Sequence, residues 1–259
     1  MALPLHVTQL GDGPPLLVLH GLFGHGGNWG GIAKHLAARH RVLLADLRNH
    51  GASPHDARMD YPAMAGDIAA LISGQGVPMT VLGHSMGGKA AMLLALTEPA
   101  LVSRLVVVDI APRRYPSAFA PYAAAMAAIP LRPDLRRTEA DATLRAAVPD
   151  AGVRAFLLQN LRFGEGAPSW RCNLPVIAAS LDAISDFPAL ADDARWEGEA
   201  LFIGGENSTY IDAAGRAAAL ARFPAAAFAV IPDAGHWVHA EAPEAFLRAI
   251  LPFLDRGRG

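Results

Sequence analysis

Short apolar runs alternate with longer amphipathic or alanine-rich stretches along most of the chain. The apolar runs predict strands over 3–10, 15–20, 41–46, 79–83, 105–110, 200–204 and 227–232. The stretches between them predict helices near 28–40, 61–74, 86–97, 212–222 and 243–254. Runs that are apolar throughout are typical of strands covered on both faces. The pattern therefore predicts an α/β fold, in which a mostly parallel sheet is flanked by helices.

The alternation stops between about residues 112 and 196. This segment is rich in proline, contains helix-like pieces over 138–147 and 151–161, and has no run typical of a buried strand. It is far longer than the roughly 12–15 residues that a structureless loop in a compact domain usually reaches. We therefore predict a core built from residues 1–111 and 197–259, with residues 112–196 inserted as a helical cap, or lid.

Composition narrows the class of protein. Hydrophobic residues make up 52% and charged residues 18% of the 259 residues, which is typical of a globular protein with a sizeable core. The net charge of −2 gives no electrostatic reason to expect a nucleic-acid partner or an anionic membrane surface. The most apolar segment, over residues 118–131, is interrupted by Pro121 and Pro130 and is too short to span a bilayer.

Two further features bear on location. The single cysteine, Cys172, cannot form a disulfide within the chain. The first residues lack a basic stretch followed by an apolar core, so they do not resemble a signal peptide. We expect a cytoplasmic protein; the oligomeric state stays open.

A serine between two glycines follows the apolar run over 79–83. The stretch Gly83-His84-Ser85-Met86-Gly87 has the form G-x-S-x-G and leads into a predicted helix. A strand-to-helix turn of this kind exposes the serine hydroxyl above the sheet edge, so Ser85 is the candidate nucleophile. A plain helix start would also favour serine. We expect His84 to pack under the turn, because the side chains of neighbouring residues diverge.

His236 is the candidate general base. It lies just after the predicted strand over 227–232, in a Gly-His step near the end of the chain. Nucleophile, acid and histidine follow one another in this order in one known type of serine triad. A base near Ser85 is required because a serine hydroxyl is a weak nucleophile until its proton is removed.

Three residues are candidates for the triad acid, which would orient the histidine. Asp109 ends the strand that follows the nucleophile strand, so it would emerge at the same sheet edge, and it is our first choice. A second position follows the next strand, where Ser208 stands in place of an aspartate and Glu206 lies two residues before it. Asp182 in the cap is a further alternative.

The oxyanion hole needs two backbone N–H groups that point at the developing negative charge. We expect one from Met86, which follows the nucleophile, and one from the glycine-rich loop over 20–24 after the second strand. Leu22 is the first choice in that loop and Phe23 the second. The structural alternative is a glycine-rich turn without a chemical role.

Aromatic residues predict an apolar pocket over Ser85. The candidates are Tyr115 and Phe163 of the cap together with Phe23 and Trp237. Lys89, one turn into the helix after Ser85, is either a partly exposed helix residue or a substrate contact. The loop over 46–53 offers too few metal-binding side chains for a metal site, so we expect no metal and no cofactor.

Taken together, the motifs resemble those of the α/β-hydrolase superfamily along nearly the whole chain. They are most similar to the YbfF-type esterase branch, on the stretches His20–Gly24, Asn28–Trp29, Asp46–Gly51, Gly83–Lys89, Val108–Pro112, Gly204–Ser208 and Gly235–Ala240. The resemblance implies esterase and acyl-CoA thioesterase activity, no cofactor, and a helical cap over the site. That branch also lacks an aspartate in the Gly-Gly-x-x-Ser loop, which favours an acid elsewhere.

The sequence therefore predicts a serine hydrolase that cleaves small-molecule carboxylic esters, and acyl-CoA thioesters among them, through an acyl-enzyme intermediate. Two alternatives stay open. The same triad serves cofactor-free C–C hydrolysis, perhydrolysis and lactone opening. A ligand-binding receptor that does not turn over its ligand can also be built on such a fold.

Overall fold

The structure, a computed structural model, describes residues 1–116 and 119–256. A seven-stranded sheet lies at its centre, with the spatial order β1-β3-β2-β4-β5-β8-β9. Every neighbouring pair is parallel except β1 and β3. The strands are β1 (Val7–Leu10), β2 (Pro15–Leu19), β3 (Arg41–Ala45), β4 (Met79–His84), β5 (Val102–Val108), β6 (Leu161–Arg162), β7 (Ser169–Trp170), β8 (Ala200–Gly205) and β9 (Ala226–Ile231). The predicted mostly parallel sheet is confirmed.

Helices cover both faces of the sheet. They are α1 (Gly30–Leu36), α2 (Tyr61–Gln75), α3 (Met86–Thr97), α4 (Ala120–Ala127), α5 (Arg137–Leu144), α6 (Ala151–Leu158), α7 (Leu174–Ala179), α8 (Leu181–Ser185), α9 (Ala213–Arg222), α10 (Val238–Glu241) and α11 (Pro243–Leu254). Along β2, Leu16 and Val18 belong to an apolar cluster that also contains residues of α1 and α11. Leu17 and Leu19 belong to a second cluster, with residues of α2, α3 and α9. This alternation buries both faces, as the continuous apolar runs predict.

Several element boundaries differ from the sequence prediction, among them the start of β5 at Val102 instead of residue 105. The first strand begins at Val7 because the segment before it bonds to side chains instead of a neighbouring strand. The Leu3 amide donates to Asp67 at 2.6 Å, and the His6 amide donates to Ser53 at 2.8 Å. The predicted helix over 28–40 is split into a 3₁₀ turn over Gly26–Trp29 and the shorter α1.

Residues between β5 and β8 hold helices α4 to α8 and the two-residue hairpin of β6 and β7. Several hydrogen bonds join this segment to the rest of the chain. Asn160 Nδ2 donates to the Phe23 carbonyl at 2.7 Å, and the Tyr61 hydroxyl donates to the Ile184 carbonyl at 2.6 Å. Within residues 1–116 and 119–256, no helix combines the length and apolar character needed to cross a bilayer.

Candidate active site

Ser85 lies in a strained turn between β4 and α3. Its φ of 50° and ψ of −117° place it where residues with a side chain are rarely found. The glycines on either side are required by the tight turn. A Cβ on Gly83 would collide with the Gly87 carbonyl oxygen, and a Cβ on Gly87 would lie 2.5 Å from the His20 carbonyl oxygen. The sequence forms this turn because only glycine leaves room for the neighbouring backbone.

Asp109 follows β5 directly and holds His236 by a short hydrogen bond. Its side chain is fully buried, and Oδ2 lies 2.7 Å from His236 Nδ1. The carboxylate also accepts hydrogen bonds from the Gly205 amide at 3.2 Å and from the Ser208 hydroxyl at 2.5 Å. Because a carboxylate accepts, Nδ1 carries the proton in the neutral form of the His236 ring, and Nε2 is then unprotonated.

The two alternative acids lie elsewhere. Asp182 is largely exposed and forms an ion pair with Arg114. The Glu206 carboxylate accepts a hydrogen bond from the Asp233 amide at 3.1 Å. Neither carboxylate is within hydrogen-bond distance of His236, so the geometry removes both from the role of orienting that ring.

Ser85 and His236 line the same cavity at the edge of the sheet, together with the loop over 20–24. Among the described residues the Ser85 hydroxyl makes no hydrogen bond. The hydrogen bond between a catalytic hydroxyl and a nearby base commonly shortens only when a substrate is bound. The His236 ring is fixed from two sides, by stacking on Tyr210 at 4.3 Å between ring centroids and by the His84 ring at 4.7 Å.

His84 supports the site from below. Its Nε2 donates to the His236 carbonyl at 2.9 Å, and its ring packs against Gly21. Burial, together with the neighbouring His236 and His239, holds the pKa of His84 well below its usual value. A neutral ring whose Nε2 proton is already bonded has a packing role, as the sequence indicates.

Two neutral histidines shape the expected oxyanion loop. Burial lowers the pKa of His20 to about 4 and that of His50 to about 3. The His20 ring donates to the Gly21 carbonyl at 2.8 Å, and His50 Nε2 accepts from the Phe23 amide at 3.2 Å. The Phe23 amide is therefore occupied, and the second choice for the oxyanion hole is wrong.

The amides of Leu22 and Met86 stay available. Both residues line the cavity beside Ser85, and neither amide has an acceptor within the described residues. Free N–H groups close to a nucleophile are what an oxyanion hole requires.

Two small cavities meet at Ser85. The first, of about 30 Å³, is lined by residues that include Tyr61, Lys89 and Tyr115. The second, of about 20 Å³, is lined by residues that include His236 and Trp237. Tyr115 and Trp237 thus lie where the sequence analysis expects pocket residues.

Phe163 and Phe23 do not line either cavity, which corrects the predicted pocket. Phe163 is 43% exposed, and its ring lies 5.3 Å from the Arg137 guanidinium. Phe23 is buried, and its ring packs edge-on against Phe119 at 6.4 Å. Phe163 points away because it follows the short β6 hairpin, whose position no local pattern reveals.

Lys89 is buried, not partly exposed. Its Nζ donates to the Ser185 carbonyl at 2.9 Å and to the Asp186 carbonyl at 2.7 Å, so it joins α3 to the end of α8. Burial lowers the pKa of Lys89 to about 7. Its position one turn after Ser85 is the only signal in the sequence that placed it near the site.

The parallel sheet and the strained serine turn define the class of protein. A family model described as "alpha/beta hydrolase fold" matches residues 14–243, and the chain belongs to this family. Its curated relatives include sn-1-specific diacylglycerol lipase ABHD11 of Mus musculus, 42% identical over 97% of this chain and 85% of the relative. Esterase YbfF of Escherichia coli is 40% identical over 93% of each chain.

A solved structure described as a marine microorganism esterase is also similar. It superposes with a TM-score of 0.94, at 36% identity, over 97% of this chain and all of the other. The predicted resemblance to the YbfF-type branch is confirmed. Because these relatives are esterases and a lipase, the chain is an esterase, an enzyme that hydrolyses carboxylic esters.

We expect Ser208→Ala to lower kcat by about 10- to 100-fold, since a hydrogen bond to a charged group is worth roughly 1.5–3 kcal/mol. The loss should fall on kcat, because Ser208 holds the Asp109 carboxylate and lies outside both cavities. Steady-state hydrolysis of p-nitrophenyl acetate measures kcat and KM. Ser103→Ala, which removes an exposed hydroxyl on β5, is the matched control. An unchanged kcat in Ser208→Ala would contradict this role.

Proposed function

We propose that Ser85, His236 and Asp109 are the catalytic triad of this esterase. The observation that carries the proposal is the 2.7 Å bond from Asp109 to His236, whose ring lines one cavity with the strained Ser85. Asp109 orients the ring and stabilises its protonated form, and His236 is the base. This arrangement makes Ser85 a nucleophile at neutral pH.

The proposed cycle is an acyl transfer in two halves. His236 Nε2 takes the hydroxyl proton as Ser85 Oγ attacks the ester carbonyl. The amides of Leu22 and Met86 stabilise the oxyanion. The protonated His236 then gives its proton to the departing alcohol, which leaves an acyl group on Ser85. Water, activated by the same ring, attacks the acyl-enzyme and releases the acid.

The position of His236 assigns a role to each cavity. The leaving oxygen must pass beside the imidazole that protonates it. The second cavity is lined by His236, so it receives the alcohol, and we name it the leaving-group cavity. The first cavity lacks His236 in its lining, so it receives the acyl group, and we name it the acyl cavity.

The acyl cavity supports a preference for short acyl groups. Its volume of about 30 Å³ is the space of about two water molecules. Its walls come from the predicted core, through Tyr61 on α2, and from the segment over 112–196, through Leu181 on α8. We propose that residues 112–196 act as a lid, with Lys89 holding its end over the acyl cavity.

We extend the proposal to short acyl thioesters, since a thiol leaves along the same route and needs less protonation than an alcohol. We also propose a cytoplasmic location. The lone Cys172 is buried, which suits a compartment where disulfides are not formed.

Ser85→Ala should lower kcat for p-nitrophenyl acetate by about a millionfold and abolish labelling by a fluorophosphonate probe. The reason is that the variant has no oxygen to attack the carbonyl. Burst kinetics and gel fluorescence measure the two effects. Persistent labelling of Ser85→Ala by the probe would refute the assignment of Ser85 as the nucleophile. A stable adduct without turnover in the native chain would indicate a receptor in place of an esterase.

Asp109→Asn should lower kcat by about 10³–10⁴-fold, because the amide favours the wrong histidine tautomer. Asp182→Asn is the matched control, since Asp182 is an exposed aspartate that pairs with Arg114 and should keep the native rate. Both are measured with the same ester. The reverse outcome, collapse in Asp182→Asn and a normal rate in Asp109→Asn, would move the acid into the cap.

Across p-nitrophenyl esters, kcat/KM should fall by at least about tenfold between acetate and octanoate, since overfilling a packed space costs roughly 1–3 kcal/mol. Leu181→Ala should reduce this fall, because it removes part of the acyl-cavity wall. Leu220→Ala, an exposed leucine on α9, should not. Faster hydrolysis of octanoate than acetate by the native enzyme would show that the acyl cavity opens freely.

A further inference from the structure

The leaving-group cavity continues outward into a much larger cleft. The cleft has a volume of about 690 Å³ and lies between α6 and the segment that follows His236. The cavity and the cleft share four lining residues, which we call the neck: Asn28, Phe156, Trp237 and His239. An alcohol that leaves Ser85 on the His236 side therefore passes these four side chains.

Among the described residues, two members of the neck have unused hydrogen-bonding capacity: the half-buried Trp237, whose Nε1–H has no acceptor, and the buried His239, which can both donate and accept. Phe156 and Trp237 form an aromatic pair at 6.0 Å between ring centroids. Asn28 is satisfied, because its Oδ1 accepts from the His25 amide at 2.8 Å and its Nδ2 donates to Gln159 at 2.6 Å. Neither ring nitrogen of His239 has a hydrogen-bond partner within the described residues, and Nδ1 is fully enclosed.

The His239 ring is held rigidly although its nitrogens are unpaired. It is 6% exposed and stacks on Trp29 at 3.9 Å between centroids, with 7° between the planes. Phe246 contacts it edge-on from another side. A phenyl ring would make the same stack without burying polar atoms. A buried polar side chain without partners is rare in folded proteins, and a ligand is one of the reasons for which it persists. Because Nδ1 is fully enclosed, Nε2 is the ring nitrogen that a ligand in the neck can reach.

The charge state of His239 narrows the chemistry of that ligand. Burial lowers the pKa of His239 to about 3, so the ring is neutral at neutral pH. A neutral imidazole offers one donor and one acceptor. A hydroxyl group can bond to Nε2 in either tautomer of the ring, whereas a carboxylate requires Nε2 to be protonated and an ammonium requires it to be unprotonated.

We propose that His239 is a specificity-determining residue that hydrogen-bonds a second hydroxyl group on the alcohol part of the substrate. The preferred substrates are then esters of diols or polyols rather than of simple alcohols. This inference rests on the proposed function, which places the alcohol on the His236 side.

The test compares esters that differ only in that hydroxyl. 2-Hydroxyethyl acetate is matched with propyl acetate, and 3-hydroxypropyl acetate with butyl acetate, by acid release in a pH-stat. The native enzyme should favour the hydroxylated member of at least one pair. His239→Phe keeps the stack on Trp29 and should lower the kcat/KM ratio of that pair by roughly 2- to 12-fold, the range of one hydrogen bond.

His35→Phe, which changes an exposed histidine on α1, is the matched control and should leave the ratio unchanged. His239→Gln keeps a donor and an acceptor and should restore part of the preference. An equal loss for both members of each pair would show that His239 only supports the fold of the site, and would overturn the proposal. No preference in the native enzyme would also overturn it.

A second measurement does not depend on the folding of the His239 variants. In Ser85→Ala, the ¹⁵N resonances of the His239 ring should shift on titration with the favoured hydroxylated acetate and not with its alkyl partner. Equal shifts, or none for either ester, would overturn the proposal. Failure of the proposed function is distinguishable, because in that case Ser85→Ala would hydrolyse all four acetates as the native chain does.

Discussion

The Asp109 carboxylate is the contact on which the arrangement of the site depends. It is fully buried and joins three parts of the chain. It follows β5, accepts hydrogen bonds from Gly205 at the end of β8 and from Ser208 just beyond it, and holds His236 after β9. A buried carboxylate is costly unless its oxygens are bonded. The loops after β8 and β9 therefore have a strong energetic reason to close on it, and this closure sets the direction of the His236 ring.

Backbone strain is concentrated at the same edge of the sheet. Within residues 1–116 and 119–256, five residues other than glycine have a positive φ. Each follows the carboxyl end of a strand within a few residues: Phe23, Asn49, Ser85, Asp109 and Asp233. Such conformations cost about 1–3 kcal/mol each and persist only where the surrounding structure fixes them. The seven-stranded sheet and the helices on both faces supply that fixation. The rigid core thus holds loops in positions that their own sequences would not favour.

Much of this arrangement follows from patterns that a sequence displays. Parallel strands present their carboxyl ends at one edge, so Ser85 after β4 and Asp109 after β5 had to emerge side by side. The apolar runs show the strands, because both faces of the sheet are covered. Asp109 could be ranked first among the candidate acids on the same ground, since the order of strands along the chain places it beside Ser85.

Other features depend on contacts between distant segments and leave no local trace. The Phe23 amide is removed from the oxyanion hole by His50, 27 positions later, and nothing in the loop over 20–24 indicates that bond. Lys89 is buried because carbonyls at the end of α8, 96 and 97 positions away, accept its protons. Phe163 is predicted to line the pocket because it is an aromatic residue of the cap, yet its side chain is exposed beside Arg137.

The buried histidines show how one residue type serves several purposes around one site. His20, His50 and His84 each place a ring nitrogen on a backbone carbonyl, and so each fixes a loop. His239 is also buried, but its ring makes no hydrogen bond to the described residues and is held by packing against Trp29, Phe246 and His84. Burial keeps its ring neutral, as it does the rings of the other three. His239 differs from them in that its ring nitrogens stay free to bond a ligand at the place where the ring lies. That place is the route from Ser85 to the outer cleft, where a departing alcohol would meet it.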